Sequence, residues 1–143
     1  MRGENSTIGA LPNHGKILYK ERKEIVMVLL EGGDKLSTIV EIALRRLRIP
    51  GSLHGMWYLT YAIRKTVEDP VYIRFVTKVV YVDVAKHYRT TPSCVERAMR
   101  HAIEVCWRND GRNELDQMAG YHMVKRPTNS EFIDLVAFYI RHN

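Results

Sequence analysis

The feature that most constrains this chain is a run of apolar residues at helical spacing between Pro92 and Trp107. Val95, Ala98, Met99, Ala102 and Cys106 recur so that a turn of about 100° per residue places them on one stripe. Thr91 can cap the N-terminus. Pro92 suits the first helical position, because its missing N–H would have no partner there in any case. The same turn puts Ser93, Arg97, Arg100, His101, Glu104 and Arg108 on the opposite side, with Glu96 at the border. The segment must bury one side and offer water a row of long hydrogen-bonding side chains.

Helical periodicity extends over most of the chain. Leu36, Ile39, Val40, Ala43, Leu44 and Leu47 repeat at i, i+3, i+4 and i+7 until Pro50-Gly51 breaks the pattern. Further helices are predicted over Leu53–Glu68, over Ile73–His87 with an interruption near Tyr81-Val82-Asp83, and over Pro92–Arg108. A short one follows at Glu114–Ala119 and a last one at about Asn129–Arg141. Arg89-Thr90-Thr91 reads as a turn, and Asn109–Asn113 and Gly120–Arg126 as loops. Thr128 and Glu131 stand at capping-box spacing.

The first part of the chain differs. Met1 to about Gly15 is rich in Gly, Asn, Ser and Pro, a lead-in composition. Between Lys16 and Leu30, two apolar stretches flank a charged one and end at Gly32-Gly33. A short strand or hairpin fits, and a buried helical turn fits as well. The expectation is an all-α fold, a six-helix bundle containing a helix-turn-helix, with a short N-terminal extension open to a strand or hairpin. Residues 1–34 are then a leader with a short apolar segment, and 35–143 the helix-turn-helix domain.

A chain of 143 residues fits one domain. The formal net charge of +6 favours a polyanionic partner, nucleic acid or an acidic membrane face, although many soluble proteins are mildly basic with neither. Ile25–Leu30, the longest apolar run, is far too short to span a bilayer. Cys94 and Cys106 lie on one predicted helix, about 18 Å apart along its axis, beyond disulfide reach. They read as reduced thiols, and a cytoplasmic protein is expected.

The exposed residues of the Pro92–Trp107 segment are types that read base edges. Arginine can donate twice to guanine, and glutamate can accept from cytosine N4. Ser93 sits where a phosphate can meet free backbone N–H groups. A polar face with arginines is also what an ordinary solvated helix shows, and periodicity does not separate the two. His101 and Glu104, with Cys94 two turns earlier, complete no four-ligand metal set. Cys106 lies on the apolar stripe, out of reach for nucleophilic work. Trp57, Tyr58 and Tyr61 read as packing residues, and His54, His87 and His122 have no partner visible in sequence. No catalytic residue, metal or cofactor is expected.

Three strings carry a resemblance. Thr90-Thr91-Pro92-Ser93-Cys94-Val95-Glu96-Arg97-Ala98-Met99-Arg100-His101-Ala102-Ile103-Glu104-Val105-Cys106-Trp107 closely resembles the recognition helix of the sporulation-initiation response regulator of endospore-forming bacteria. Pro127-Thr128-Asn129-Ser130-Glu131-Phe132 resembles the start of that family's last helix. Thr77-Lys78-Val79-Val80-Tyr81, with Asp83-Val84-Ala85-Lys86, is similar to its first helix-turn-helix element. The strings occur in the family's order, and the likeness runs from about Leu36 to His142.

This resemblance to the family's C-terminal effector domain implies a six-helix bundle that binds a short box in double-stranded DNA, often as head-to-tail tandem copies. RNA polymerase sigma factor is the second implied partner, and a homodimer on tandem sites a third candidate assembly. Carried over by position, Glu96 and Arg97 are the base-reading pair, and Arg100, His101 and Ser93 further recognition-helix contacts. Lys125 and Arg126 are candidates for the phosphate backbone. Three departures stand out. Cys94 occupies a position where the family usually has arginine. Val82 replaces a proline, which should leave that helix straighter. The effector and leader also use up the 143 residues, so action without a receiver domain is expected. The competing reading is a protein-interaction module with weakened DNA specificity, an antagonist of sigma factor or of the full-length regulator.

Overall fold

A computed structural model describes residues 34–143. The expected leader, and the strand or hairpin between Lys16 and Leu30, lie outside the described residues. Within them the chain forms α1 (Lys35–Arg46), α2 (His54–Glu68), α3 (Tyr81–Tyr88), α4 (Pro92–Arg108), α5 (Gly111–Ala119) and α6 (Asn129–His142). A 3₁₀ segment (Pro70–Phe75) and a π turn (Val76–Val80) link α2 to α3. The fold is all-α, with six α-helices and no strand among the described residues.

The core explains the order of packing. α2 lies at the centre, against α1 on one side and α4 and α6 on others. Its buried Met56, Leu59, Ala62 and Ile63 meet Val40, Leu44 and Leu47 from the α1 region, Val95, Met99 and Ile103 from α4, and Phe132, Ile133 and Val136 from α6 in one apolar cluster. Burying a side chain of this size contributes about 1.5–3 kcal/mol relative to exposure.

Gly55 decides how close α2 and α4 can come. A Cβ there would collide with the carbonyl of Ala98 and lie 2.7 Å from Cβ of Ala102. A helical glycine costs about 1 kcal/mol relative to alanine, which the close backbone approach offsets. Gly111 has the same role where α5 begins: a Cβ would strike the carbonyl of Leu47 and approach Sγ of Cys106 at 3.0 Å.

The helix ends follow the residues that can cap them. Asp34 accepts from the N–H groups of Leu36 and Ser37 at 3.1 and 3.4 Å, which starts α1. Ser37 also donates its hydroxyl to Asp34, and this bond holds the Asp34 carboxyl below the usual carboxylate range. Thr128 accepts from the N–H of Glu131 at 3.2 Å, and Glu131 accepts from the N–H of Thr128 at 2.9 Å. That is the reciprocal box the spacing predicted.

Three boundaries differ from the sequence reading. α1 ends at Arg46, with Leu47 as its cap, four residues before the proline that was expected to stop it. Arg48 then turns with φ 66°, so the break precedes Pro50. α5 begins at Gly111, because that residue packs on Leu47 rather than looping out. The predicted third helix is irregular at its start, not at Tyr81-Val82-Asp83. Phe75 leaves helical geometry at φ −122°, ψ 69°, and the π turn closes with the N–H of Tyr81 donating to the carbonyl of Val76. Regular α-helix begins at Tyr81 and includes Val82. Short apolar runs such as Val79-Val80 do not report which hydrogen-bond ladder they will adopt.

Gly55→Ala should lower the unfolding free energy by about 1–3 kcal/mol, the usual cost of overpacking, rather than raise it as a helix-propensity gain would. Urea melts of the two proteins decide the sign.

Candidate nucleic-acid interface

α3 and α4 are joined by a turn whose geometry the backbone sets. Arg89 takes the left-handed conformation, φ 57° and ψ 50°. The N–H of Thr90 donates to the carbonyl of Ala85 at 2.9 Å, which closes the end of α3. Thr91 then accepts from the N–H of Cys94 at 3.1 Å and starts α4, with Pro92 at its first position. Together they form helix, turn and helix.

α3 is itself anchored. Asp83 accepts from the hydroxyl of Tyr72 at 2.8 Å and from that of Tyr61 at 3.4 Å, and lies 3.5 Å from Nζ of Lys65. Burial and the bond to Asp83 push the Tyr72 hydroxyl well above its usual range, so it stays a donor.

α4 buries Val95, Met99, Ala102, Ile103 and Cys106. Ile103 joins the predicted stripe, whereas Ala98 is only half-buried beneath Gly55. Burial pushes the Cys106 thiol up to about 12. On the other side Ser93, Cys94, Arg97, Arg100, His101 and Arg108 are exposed, and Glu96 and Glu104 are half-buried.

The structure brings some of the predicted residues together and leaves others apart. Glu96 and Arg100 pair at 3.0 Å, one turn apart on α4. Glu104 forms an ion pair with Arg126 at 3.0 Å and accepts from Arg108 at 3.3 Å. Arg126 is thus drawn from the loop after α5 onto α4, while Lys125 beside it is exposed. Arg97 makes no salt bridge among the described residues. It lies instead near the Cys94 thiol, which hydrogen bonds from Thr91 and Thr90, with help from Arg97, hold below its ordinary value.

Sequence reasoning missed Asn129. Its side-chain amide donates to the hydroxyl of Tyr81 at 2.9 Å and to the carbonyl of Glu96 at 3.1 Å. One buried residue at the start of α6 therefore ties α3 to the turn of α4 that carries Glu96 and Arg97. An amide buried at 8% exposure has to find partners, but nothing in the sequence says which. The histidines also have partners that sequence does not show. His122 sits 2.8 Å from Asp116, His87 stacks near Tyr61 at 4.5 Å, and His54 lies 5.4 Å from the Trp57 ring. Asp116 is held below its usual value first by the backbone N–H of Met123 and then by His122.

With this helix-turn-helix in place, the family comparison is decisive: the family model described as Sporulation initiation factor Spo0A C terminal matches residues 40–140. The chain belongs to this family. The Spo0A C-terminal match runs from within α1 to within α6 and takes in α2 to α5 whole. Membership makes the chain a DNA-binding, transcription-regulatory domain of the sporulation kind. No helix among the described residues is long and apolar enough to cross a membrane.

The two thiols on α4 give a direct check of this geometry. Cys94 should alkylate with a pH midpoint below the ordinary 9.0, because its thiolate is favoured, and Cys106 should stay unmodified until the fold opens. Iodoacetamide labelling across pH, read by peptide mass, tests both. Equal rates at the two sites would contradict this placement of α4.

Proposed function

We propose that the chain is a sequence-specific DNA-binding regulator that reads a short box with the exposed face of α4. Glu96, Arg97 and Arg100 read base edges, Ser93, His101 and Arg126 support them, and Lys125 meets the phosphate backbone. The observation that carries this reading is the support under one turn of α4. Glu96 is fixed through its carbonyl by Asn129, and Arg97 and Arg100 project from the same stretch with Met99 locked in the core beneath. Base reading needs side chains held to within fractions of an ångström on a rigid element, and this helix has that support.

The electrostatics fit the same assignment. Glu96 and Arg100, paired in the free protein, carry the acceptor and donor sets that complement cytosine N4 and guanine O6/N7. Cys94 brings a short thiol where the family usually has arginine, so one long-range phosphate or base contact is absent from this helix. The box preference of this chain is therefore narrower in its contacts than the family pattern. Residues 35–143 serve as the DNA-binding domain, and residues 1–34 as a leader to it.

A second reading has an observation of its own. Tyr121, Val124 and Phe138 are exposed at 62%, 81% and 54%, and line one groove between the loop after α5 and α6. Apolar surface gathered in this way favours a protein partner, such as sigma factor or the full-length regulator.

Fluorescence anisotropy of the 143-residue chain, with the family's box and a scrambled duplex, separates these readings. Arg97→Ala should cost about 1–3 kcal/mol on the box and little on the scrambled duplex. Lys125→Ala should weaken both alike and flatten the salt dependence, by a slope of about 0.9 for one lost phosphate contact. A box preference untouched by Arg97→Ala would sink the assignment of α4 as reader. Absence of binding to either duplex would favour the protein-interaction reading.

A further inference from the structure

We propose that Glu104 is a specificity-determining residue, which lowers non-specific DNA attraction by holding Arg108 and Arg126 as ion pairs. The proposal rests on the reading of α4 as the DNA-facing helix and deepens it. Glu104 follows Arg100 by one turn and lies on the same face as Arg97 and His101. Its carboxylate is shared between two arginines from different elements, Nη2 of Arg108 at 3.3 Å and Nη1 of Arg126 at 3.0 Å. Arg108 comes from the last turn of α4, and Arg126 from the loop before α6.

The pairing is selective. Arg100 is held by Glu96, and Arg108 and Arg126 by Glu104, whereas Arg97 has no carboxylate partner among the described residues. The face thus carries its free guanidinium at the residue best placed to read a base, and covers the others. This matters because non-specific affinity comes from phosphates neutralised, with a slope of about −0.9 in log K against log salt for each. On a scrambled duplex the protein can shift and rotate, so any free cation finds a phosphate. On the box, base contacts fix the docking, and only cations already aligned can add to it. A carboxylate that occupies two arginines therefore weakens scrambled binding more than box binding. The ratio of the two, which is what a regulator needs among many competing sites, rises.

Glu104 is half-exposed and contributes nothing to the apolar core, so Glu104→Gln should leave the fold intact by circular dichroism. In anisotropy titrations at 50 and 200 mM salt, that variant should bind scrambled DNA more tightly at low salt. Its loss of affinity between the two salts should exceed the parent's by about 3.5-fold for one freed contact. The preference for the box over the scrambled duplex should fall. Adding Arg126→Gln should bring the slope back towards the parent value. Arg126→Gln alone should change the slope less than Lys125→Ala does, since that guanidinium is already engaged. Glu41→Gln frees Arg45 on α1 with the same change of charge, and should not reproduce the effect.

An unchanged slope in Glu104→Gln overturns the proposal. So does equal weakening on both duplexes, the mark of a merely structural role, or the same steepening in Glu41→Gln. The DNA reading is judged separately on the parent chain and Arg97→Ala. If the parent binds both duplexes equally, α4 is not a sequence reader. If it prefers the box but Glu104→Gln behaves as the parent, only the role of Glu104 fails.

Discussion

The contact on which the rest of this structure depends is the close approach of α2 to α4 at Gly55. Without a side chain there, the backbone of α2 reaches the carbonyl of Ala98 and the methyl of Ala102. That approach lets Val95, Met99 and Ile103 sink fully into the core while the next face of the same helix stays in water. A helix that carries functional side chains must be held from behind. Here the holding surface is α2, itself braced by α1 and α6.

Apolar packing fixes how deep α4 sits but says little about its rotation and its slide along the axis, because dispersion and burial are not directional. Directional bonds supply the rest. Asn129 joins α3 and α4 through Tyr81 and the carbonyl of Glu96, and Asp83 ties α3 back to α2 and the 3₁₀ segment through Tyr61, Lys65 and Tyr72. An unpaired buried amide costs about 1–3 kcal/mol, so alternative placements that break the Asn129 bonds are disfavoured. The capping box at Thr128 and Glu131 holds the start of α6 where Asn129 can reach both partners.

The charged face follows a different logic. Exposed ion pairs contribute little to stability, about 0–1 kcal/mol each. Their value here lies in where they leave charge free. With Glu96 on Arg100 and Glu104 on Arg108 and Arg126, the +6 of the whole chain does not translate into a uniformly cationic helix. On the proposed reading of α4, the arrangement favours one DNA site over many. It also keeps the loop carrying Lys125 and Arg126 close to α4.

Periodicity was enough to place α2, α4 and α6 within a residue or two, and the Thr91 and Thr128 caps with them, because these signals are local and each is set by a few neighbouring residues. Local signals failed where the ladder was irregular. The early start of α5 at Gly111 answers to distant packing on Leu47, and the π turn at Val76–Val80 lies between the 3₁₀ segment, which packs on α2, and α3. The exposed residues of α4 were legible as a face, since a helix fixes which side chains share a side. Their pairing was not. Whether Arg126 meets Glu104, or Asn129 meets the carbonyl of Glu96, depends on how a loop and a helix some twenty to thirty residues further along return to α4. The sequence by itself determined the helices, their buried sides and the chemistry shown to solvent. Only the tertiary structure decided which of those charges are covered and which helix turn is pinned, because hydrogen bonds and ion pairs between elements form only once the core has brought the elements together.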